Sequence, residues 1–286
     1  MSDFLVFFLH GLAYAGLLFL VSSGLTLVFG MMNVLNFAHA ALYMLGAYFS
    51  YTVLHMTGQF WLSLLVCPLA LFVIGAFIER FLLRRVHVFG HLHELLLTFG
   101  LAYIITEAVK WLWGNYPLAV NIGGYLDGTV ELFGLAYPIY RICIFVWGVL
   151  VSLAMALILF RTRLGVILRA AVNDNEMVNA LGINVPRLFT GVFAFGAALS
   201  GFAGVIAGPL LSTYPGMAQE ILVDAFVVIV VGGFGSLGGA LIASLLIGEL
   251  QSFGVLLFPK LSLVLIYLLM SIVLVIKPFG LFGEKQ

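Results

Sequence analysis

Apolar and polar positions divide this chain into long oily runs separated by short polar interruptions. The first run, about Phe4–Phe29, is long enough to cross a bilayer with tilt. It ends in GMMNVLNFAHA, where Gly30, Asn33, Asn36 and His39 fall close together. A short apolar helix is predicted at about Ala40–Leu54 and a turn at HMTGQ. The next span, about Phe60–Leu83, closes in Glu79, Arg80, Arg84 and Arg85. The linker RRVHVFGHLHE leads to a span at about Leu95–Trp113, whose end supplies Trp111, Trp113 and Tyr116 as interfacial aromatics. Gly114–Tyr137 is Gly-rich and less apolar and is placed outside the bilayer. Pro138–Phe160 is the following span.

The longest polar interruption is Arg161–Arg187, with Arg161, Arg163, Arg169, Arg187, Asp174 and Glu176. Beyond it, Leu188–Leu211 is crowded with glycine, alanine and serine, a face that lets helices approach closely in lipid. Ile221–Val231 is too short to cross alone. GGFGSLGG follows, then a helix at about Ala240–Phe253 and a last span, Leu261–Ile276, before KPFGLFGEKQ. The sum is an all-α polytopic membrane protein of about eight segments. Residues 1–286 are read as one membrane domain, with 161–187 a polar loop inside it.

Composition supports this. Hydrophobic residues make up 64% and charged residues 8%, with mean hydropathy +1.21, far from a soluble domain. The alternation of a porin-type barrel is absent. Cys67 and Cys143 lie inside apolar runs and read as packing residues. The N-terminus lacks a basic leader and a small-residue cleavage site, so it reads as the first membrane segment. Placing Arg161–Arg187 in the cytoplasm puts Arg80, Arg84, Arg85, Arg161, Arg163, Arg169, Arg187, Lys277 and Lys285 inside, leaving Lys110, Arg141 and Lys260 outside. That positive-inside bias predicts an external N-terminus and a cytoplasmic C-terminus.

Two places break the helical pattern alike. FGMMNVLNFAHAALYMLGAY and FGSLGGALIASLLIGEL both begin Phe-Gly, pass through small or polar residues and resume as a small-residue helix. Such breaks free backbone groups for a pathway, which makes Asn33, Asn36, Phe37, His39, Gly232, Gly233, Gly235, Gly238 and Gly239 candidate pathway or gate residues. Glycines that merely permit tight packing are the competing reading, and His39 reads equally as a histidine holding the kink. Parity makes the two following helices run in the same direction. Glu107 and Lys110 read as an interfacial ion pair. Asp224 and Glu249 are acids in or near membrane segments. His87, His91 and Glu94 allow a metal-enzyme alternative, against which a solvated linker is the simpler expectation.

What the chain lacks narrows its class. No lysine follows a glycine, so there is no GxxxxGK[ST] phosphate loop, and neither HExxH nor GxSxG occurs. No basic tract points to nucleic acid. A permease driven by ATP hydrolysed elsewhere fits this pattern, and a stand-alone channel is a further alternative.

The stretches GLTLVFGMMNVLNFAHAALYMLGAY, LLLTFGLA, RTRLGVILRAAVNDNEMVNALGINV, VVGGFGSLGGALIASLLIGEL and KPFGLFG span Gly24 to Gly283. With them the chain resembles the smaller permease subunits of the high-affinity branched-chain amino-acid ABC importers, the LivH-type family. The resemblance implies a type II importer-like permease of the bacterial inner membrane with broken or re-entrant helices. It implies a second homologous permease, two ATP-binding cassette subunits holding ATP and Mg, and a periplasmic substrate-binding protein as partners. No cofactor is expected on this chain, and no catalytic or metal residue. The segment Arg169–Asn184 matches the ATPase-contacting helix of the family. Ala170, Met177, Ala180 and Leu181 would form its apolar face, Asp174 and Glu176 would keep the rest solvated, and Gly182 would end it, all with Arg169 as the ATPase-coupling residues. One departure is Ala40, where the family often has glycine after NFAH. Related permeases carry urea, short amides or aromatic acids, which these motifs do not separate from branched-chain amino acids.

Overall fold

The computed structural model describes residues 2–132 and 134–283; Lys285, counted above as an inside residue, lies outside them. The chain is almost wholly helical: α1 (Ser2–Met32), α2 (Ala38–Thr57), α3 (Phe60–Ile78), the one-turn α4 (Arg84–Val86), α5 (His91–Trp113), α6 (Ile139–Arg161), α7 (Arg163–Asn173), α8 (Asn175–Ala180), α9 (Val185–Leu211), α10 (Met217–Gly232), α11 (Leu237–Leu257) and α12 (Ser262–Ile276). Among the described residues six helical stretches are long and apolar enough to cross a membrane: Phe4–Met32, Phe60–Phe89, His91–Trp113, Ile139–Arg161, Val185–Leu211 and Leu237–Leu257. The other apolar helices fall short of that measure: α2 carries His39, Ser50, Thr52 and His55, and α10 and α12 have only 16 and 15 residues. The Gly114–Tyr137 region is more ordered than a plain loop. It forms a small antiparallel hairpin, β1 (Thr129–Leu132) with β2 (Leu135–Pro138).

Packing follows from where the small residues fall. α1 and α9 sit at the centre, with α1 against α6, α9 and α11, and α9 between α2 and α3. Cβ atoms built on Gly46 and Gly204 would run into the Gly201 backbone and the Tyr43 carbonyl, so α2 and α9 pack backbone to backbone. Gly16 meets Gly148 where α1 crosses α6, and Gly248 lies against the Gly11 carbonyl where α11 crosses α1. This close approach is favourable in lipid because apolar side chains gain nothing by leaving a hydrocarbon solvent, whereas dispersion contacts and close fit still count.

The order of these contacts fixes direction. Along α1, Phe4 meets Phe253, Gly11 meets Glu249 and Phe29 meets Phe234, so α1 and α11 are antiparallel. His39 and Tyr43 of α2 meet Ser200 and Gly204 of α9, so that pair is parallel.

Candidate functional site

The polar loop is a helical arm with three successive side-chain caps. Thr162 accepts from Gly165 N to start α7, Asp174 accepts from Met177 N (2.9 Å) to start α8, and Asn184 accepts from Arg187 N (3.0 Å) to start α9. Pro186 occupies the first turn of α9, where its missing N–H costs nothing. α8 ends in a Schellman motif: Gly182 N donates to Asn179 O and Ile183 N to Val178 O, with Gly182 at φ +87. Val178 and Ile183 then pack with Ala171 and Val185 in a small core of the arm's own.

That arrangement assigns the arm residues to two faces. Val178, on the inner face, is buried at 3% exposure, while Met177 is 58% and Leu181 74% exposed. Ala170, Asp174, Glu176, Ala180 and Gly182 are exposed with them. Arg169 is half-buried and engaged within the arm. Its guanidinium turns back to donate to the Leu159 carbonyl and lies 5.7 Å from the Phe160 ring centroid, so it closes the end of α6. The free carbonyls at a helix C-terminus attract a nearby cation, which accounts for this.

A network absent from the sequence reading anchors the arm. Residues Glu79–Leu83 form a π-helical turn at the end of α3. Five residues apart, Glu79 and Arg84 would diverge on an α-helix; the wider turn brings them onto one face. Arg84 Nε and Nη2 reach Glu79 Oε1 and Oε2 at 3.3 and 3.2 Å. Arg84 Nη2 also donates to Pro186 O (2.7 Å) and to Thr190 Oγ1, and the Thr190 hydroxyl donates to Glu79. The carboxylate, 3% exposed, is thereby satisfied from two helices. The base of α9 is thus tied to the end of α3.

The two breaks meet in space. Phe29 and Phe234 have ring centroids 4.7 Å apart, and a Cβ on Gly30 would lie 2.8 Å from the Gly235 Cα. At the first break Asn33 adopts φ +53, which asparagine tolerates. Thr98 Oγ1, from α5, accepts from Phe37 N (3.3 Å) and lies at the same distance from Leu35 O, so its hydroxyl serves the freed backbone. His39 is buried, with Nε2 2.9 Å from the Val21 carbonyl of α1. Asn36 is buried beside an apolar hollow of about 220 Å³ lined by Phe37, Leu25 and Phe226. At the second break Ser236 caps α11 through Gly239 N (3.1 Å). The segment after α12 folds back, Leu281 N donating to Val231 O (2.8 Å) and Phe282 N to Gly232 O (3.1 Å), which satisfies the last carbonyls of α10. Gly232, Gly233 and Gly239 are buried at these contacts, whereas Gly235 and Gly238 are exposed.

The remaining candidates fall as follows. Lys110 Nζ and Glu107 pair at 2.7 Å as expected. Asp224 accepts from the Tyr14 hydroxyl at 2.6 Å, and Glu249 lies against Gly11. The linker at His87–Glu94 is not simply solvated: Glu94 is 1% exposed and takes both His87 Nδ1 and His91 Nδ1 (3.2 Å). Among the described residues no three His, Cys, Asp or Glu side chains are grouped to hold a metal ion. At the opposite end, Arg141 Nη1 donates to His10 Nδ1 at 2.7 Å, and the Tyr137 hydroxyl lies 3.1 Å from the same nitrogen. Burial pushes the Tyr137 phenol up to about 12, which keeps it a donor.

Comparison with known proteins places this geometry. The family described as "Branched-chain amino acid transport system / permease component" matches residues 7–274. The "High-affinity branched-chain amino acid transport system permease protein BraD" of Pseudomonas aeruginosa is 30% identical, over 97% of this chain and 95% of the relative. LivH of Salmonella typhimurium, named as the corresponding permease protein, is 28% identical over 100% of this chain and 99% of its own length. A "Probable branched-chain amino acid transport permease protein LivH" of Methanocaldococcus jannaschii is 27% identical over 94% and 90%. No solved structure matches the chain.

Proposed function

Since the chain belongs to the branched-chain amino-acid transport system permease family, we propose that it moves branched-chain amino acids inward across the bacterial inner membrane, driven by ATPase subunits docked on Asp174–Gly182. It is a multi-pass transport component and not itself an enzyme; the ATPase activity lies in separate subunits of an ABC transporter complex. The names of its relatives favour branched-chain amino acids over urea, short amides or aromatic acids.

The observation that carries the reading is α8 itself. A helix capped at both ends presents Met177 and Leu181 outward although their neighbour Val178 is buried. Two large apolar side chains held out on a rigid, polar-flanked turn form an anchor for a groove on another protein. Load applied there enters α9 at Val185–Thr190 and, through Arg84 and Glu79, reaches α3. The breaks at Asn33–His39 and Gly232–Gly239 lie where α1, α2, α10 and α11 converge, and movement there would gate the route. In this reading residues 161–187 form the coupling loop of a single permease domain. ATP and Mg sit on two cassette subunits, a second homologous permease completes the pathway, and a periplasmic binding protein delivers the solute. The basic residues near the arm support a cytoplasmic location for it and an external N-terminus.

The test is uptake by proteoliposomes holding the full set of subunits. Labelled leucine should accumulate only with internal ATP, be competed by isoleucine and valine, and be indifferent to urea. Leucine flux that persists without the ATPase subunits would instead identify a channel.

A further inference from the structure

Two hollows flank the base of α9, where the polar arm joins it, and both lie apart from the exposed face of α8 and from the two breaks. The first, about 710 Å³, is a groove between α3 and α9. Phe72 and Ala76 of α3 and Arg80 of the π-helical turn after it line it at four-residue spacing, so it runs about 12 Å along the helix axis from apolar to charged. Facing them on α9 are Ala194, Gly191 and Arg187. The second, about 340 Å³, lies on the other side of α9 among Leu27, Met155, Ile158 and Phe195 and is almost entirely apolar. Phe72, Arg187 and Gly191 line both. A side chain on Gly191 would meet nothing within 4 Å, so this glycine leaves open the space where the two join.

Charge sets the occupant. Arg84, at the mouth, is compensated by Glu79. Arg80 and Arg187 are exposed, and among the described residues neither takes part in an ion pair. Two uncompensated guanidiniums therefore stand at the charged end of a groove whose other end is aliphatic and aromatic. A free anion would satisfy the arginines and leave the trough unfilled, and a neutral hydrocarbon would do the reverse. A phospholipid with a net negative headgroup matches both at once, since guanidinium binds phosphate through paired donors. We propose that this groove binds an anionic phospholipid of the leaflet nearest the arm, its phosphate between Arg80 and Arg187 and one acyl chain in the apolar trough. Such a lipid would wedge α9 against α3 beside the Glu79–Arg84–Thr190 network.

The test uses the purified full-length chain in detergent, read by native mass spectrometry with added phosphatidylglycerol or phosphatidylcholine. It measures binding alone, so failure of the transport reading leaves it untouched. Each surface arginine near an anionic lipid is worth about fivefold in affinity. Phosphatidylglycerol should therefore be retained preferentially, and the R80Q/R187Q double variant should lose about 25-fold. R161Q/R163Q, equally basic but off the groove, should lose little. G191F, which fills the junction, should also lower retention. On the unaltered chain, raised ionic strength should release the lipid. Equal retention of phosphatidylcholine, equal loss in R161Q/R163Q, or displacement by inorganic phosphate alone would each overturn the proposal. So would crosslinking from position 191 to another protein chain in place of lipid.

Discussion

Replacing Leu181 by Asp separates the coupling role of the arm from its folding. Leu181 is 74% exposed, so the isolated permease has little to lose, and a change at such a surface position moves stability by at most about 0.5 kcal/mol. In the docked complex the same side chain is buried, and full burial of a leucine is worth about 1.5–3 kcal/mol. Three quarters of that is about 1–2 kcal/mol, and an unpaired carboxylate forced into an apolar groove adds about 1–3 kcal/mol. Docking should weaken by about 30-fold or more. ATP-dependent leucine uptake in proteoliposomes should collapse, while the thermal midpoint of the permease, followed by tryptophan fluorescence, stays within about 2 °C of the unaltered chain. Val178→Asp is the contrast: at 3% exposure in the core of the arm, it should cost more than about 3 kcal/mol and lower the midpoint itself. Uptake near the unaltered rate in the Leu181 variant, with partners present, would refute the docking geometry.

Three further outcomes follow from the same contacts. Arg84→Gln leaves the buried Glu79 carboxylate with Thr190 as its remaining side-chain partner, and should destabilise the chain by about 3 kcal/mol in thermal unfolding; adding Glu79→Gln should recover part of the loss. Thr98→Val strips the partner from the backbone of the first break, costing about 1–3 kcal/mol and raising amide exchange at Phe37, whereas Thr98→Ser should restore it. Gly235→Ala puts a side chain at φ +77 with its Cβ 2.9 Å from the Gly30 Cα, so thermal unfolding should show a loss of stability larger than the roughly 1 kcal/mol cost of the left-handed conformation alone.

What was legible in the sequence was whatever is local. The arm announces itself as the longest polar interruption, with Gly182 at the end of its helix; the caps at Thr162, Asp174 and Asn184 that divide it into three helices come from the structure. The segments were legible from apolar run length alone, though α10 and α12 stay short by that measure. The contact of Arg169 with the end of α6 was not legible, because it appears only once α7 is seen to fold back on Leu159. Glu79 and Arg84 escaped notice because their spacing pairs only on a π-helical turn, and a single sequence does not display where a helix widens. The meeting of Gly30 with Gly235 depends on α1 lying antiparallel to α11, a long-range fact that no window of residues contains. Glu94 looked like part of a solvated linker because its polar neighbours suggest exposure, whereas it is 1% exposed and pairs with His87 and His91.

The return of residues 281 and 282 to α10 has a bearing on biogenesis. α10 is synthesised well before the strand-like partner of its last carbonyls, and at 16 residues it is a weak membrane anchor by itself. Until Leu281 and Phe282 arrive, Val231 and Gly232 have carbonyls to satisfy by other means, and the glycine-rich turn after them is held only locally. The second break should therefore be the last part of the permease to acquire its final shape, after the bundle around α1 and α9 is already in the bilayer. Lesions in PFGLFG would then appear as molecules that insert and persist but whose α10–α11 turn stays open to protease.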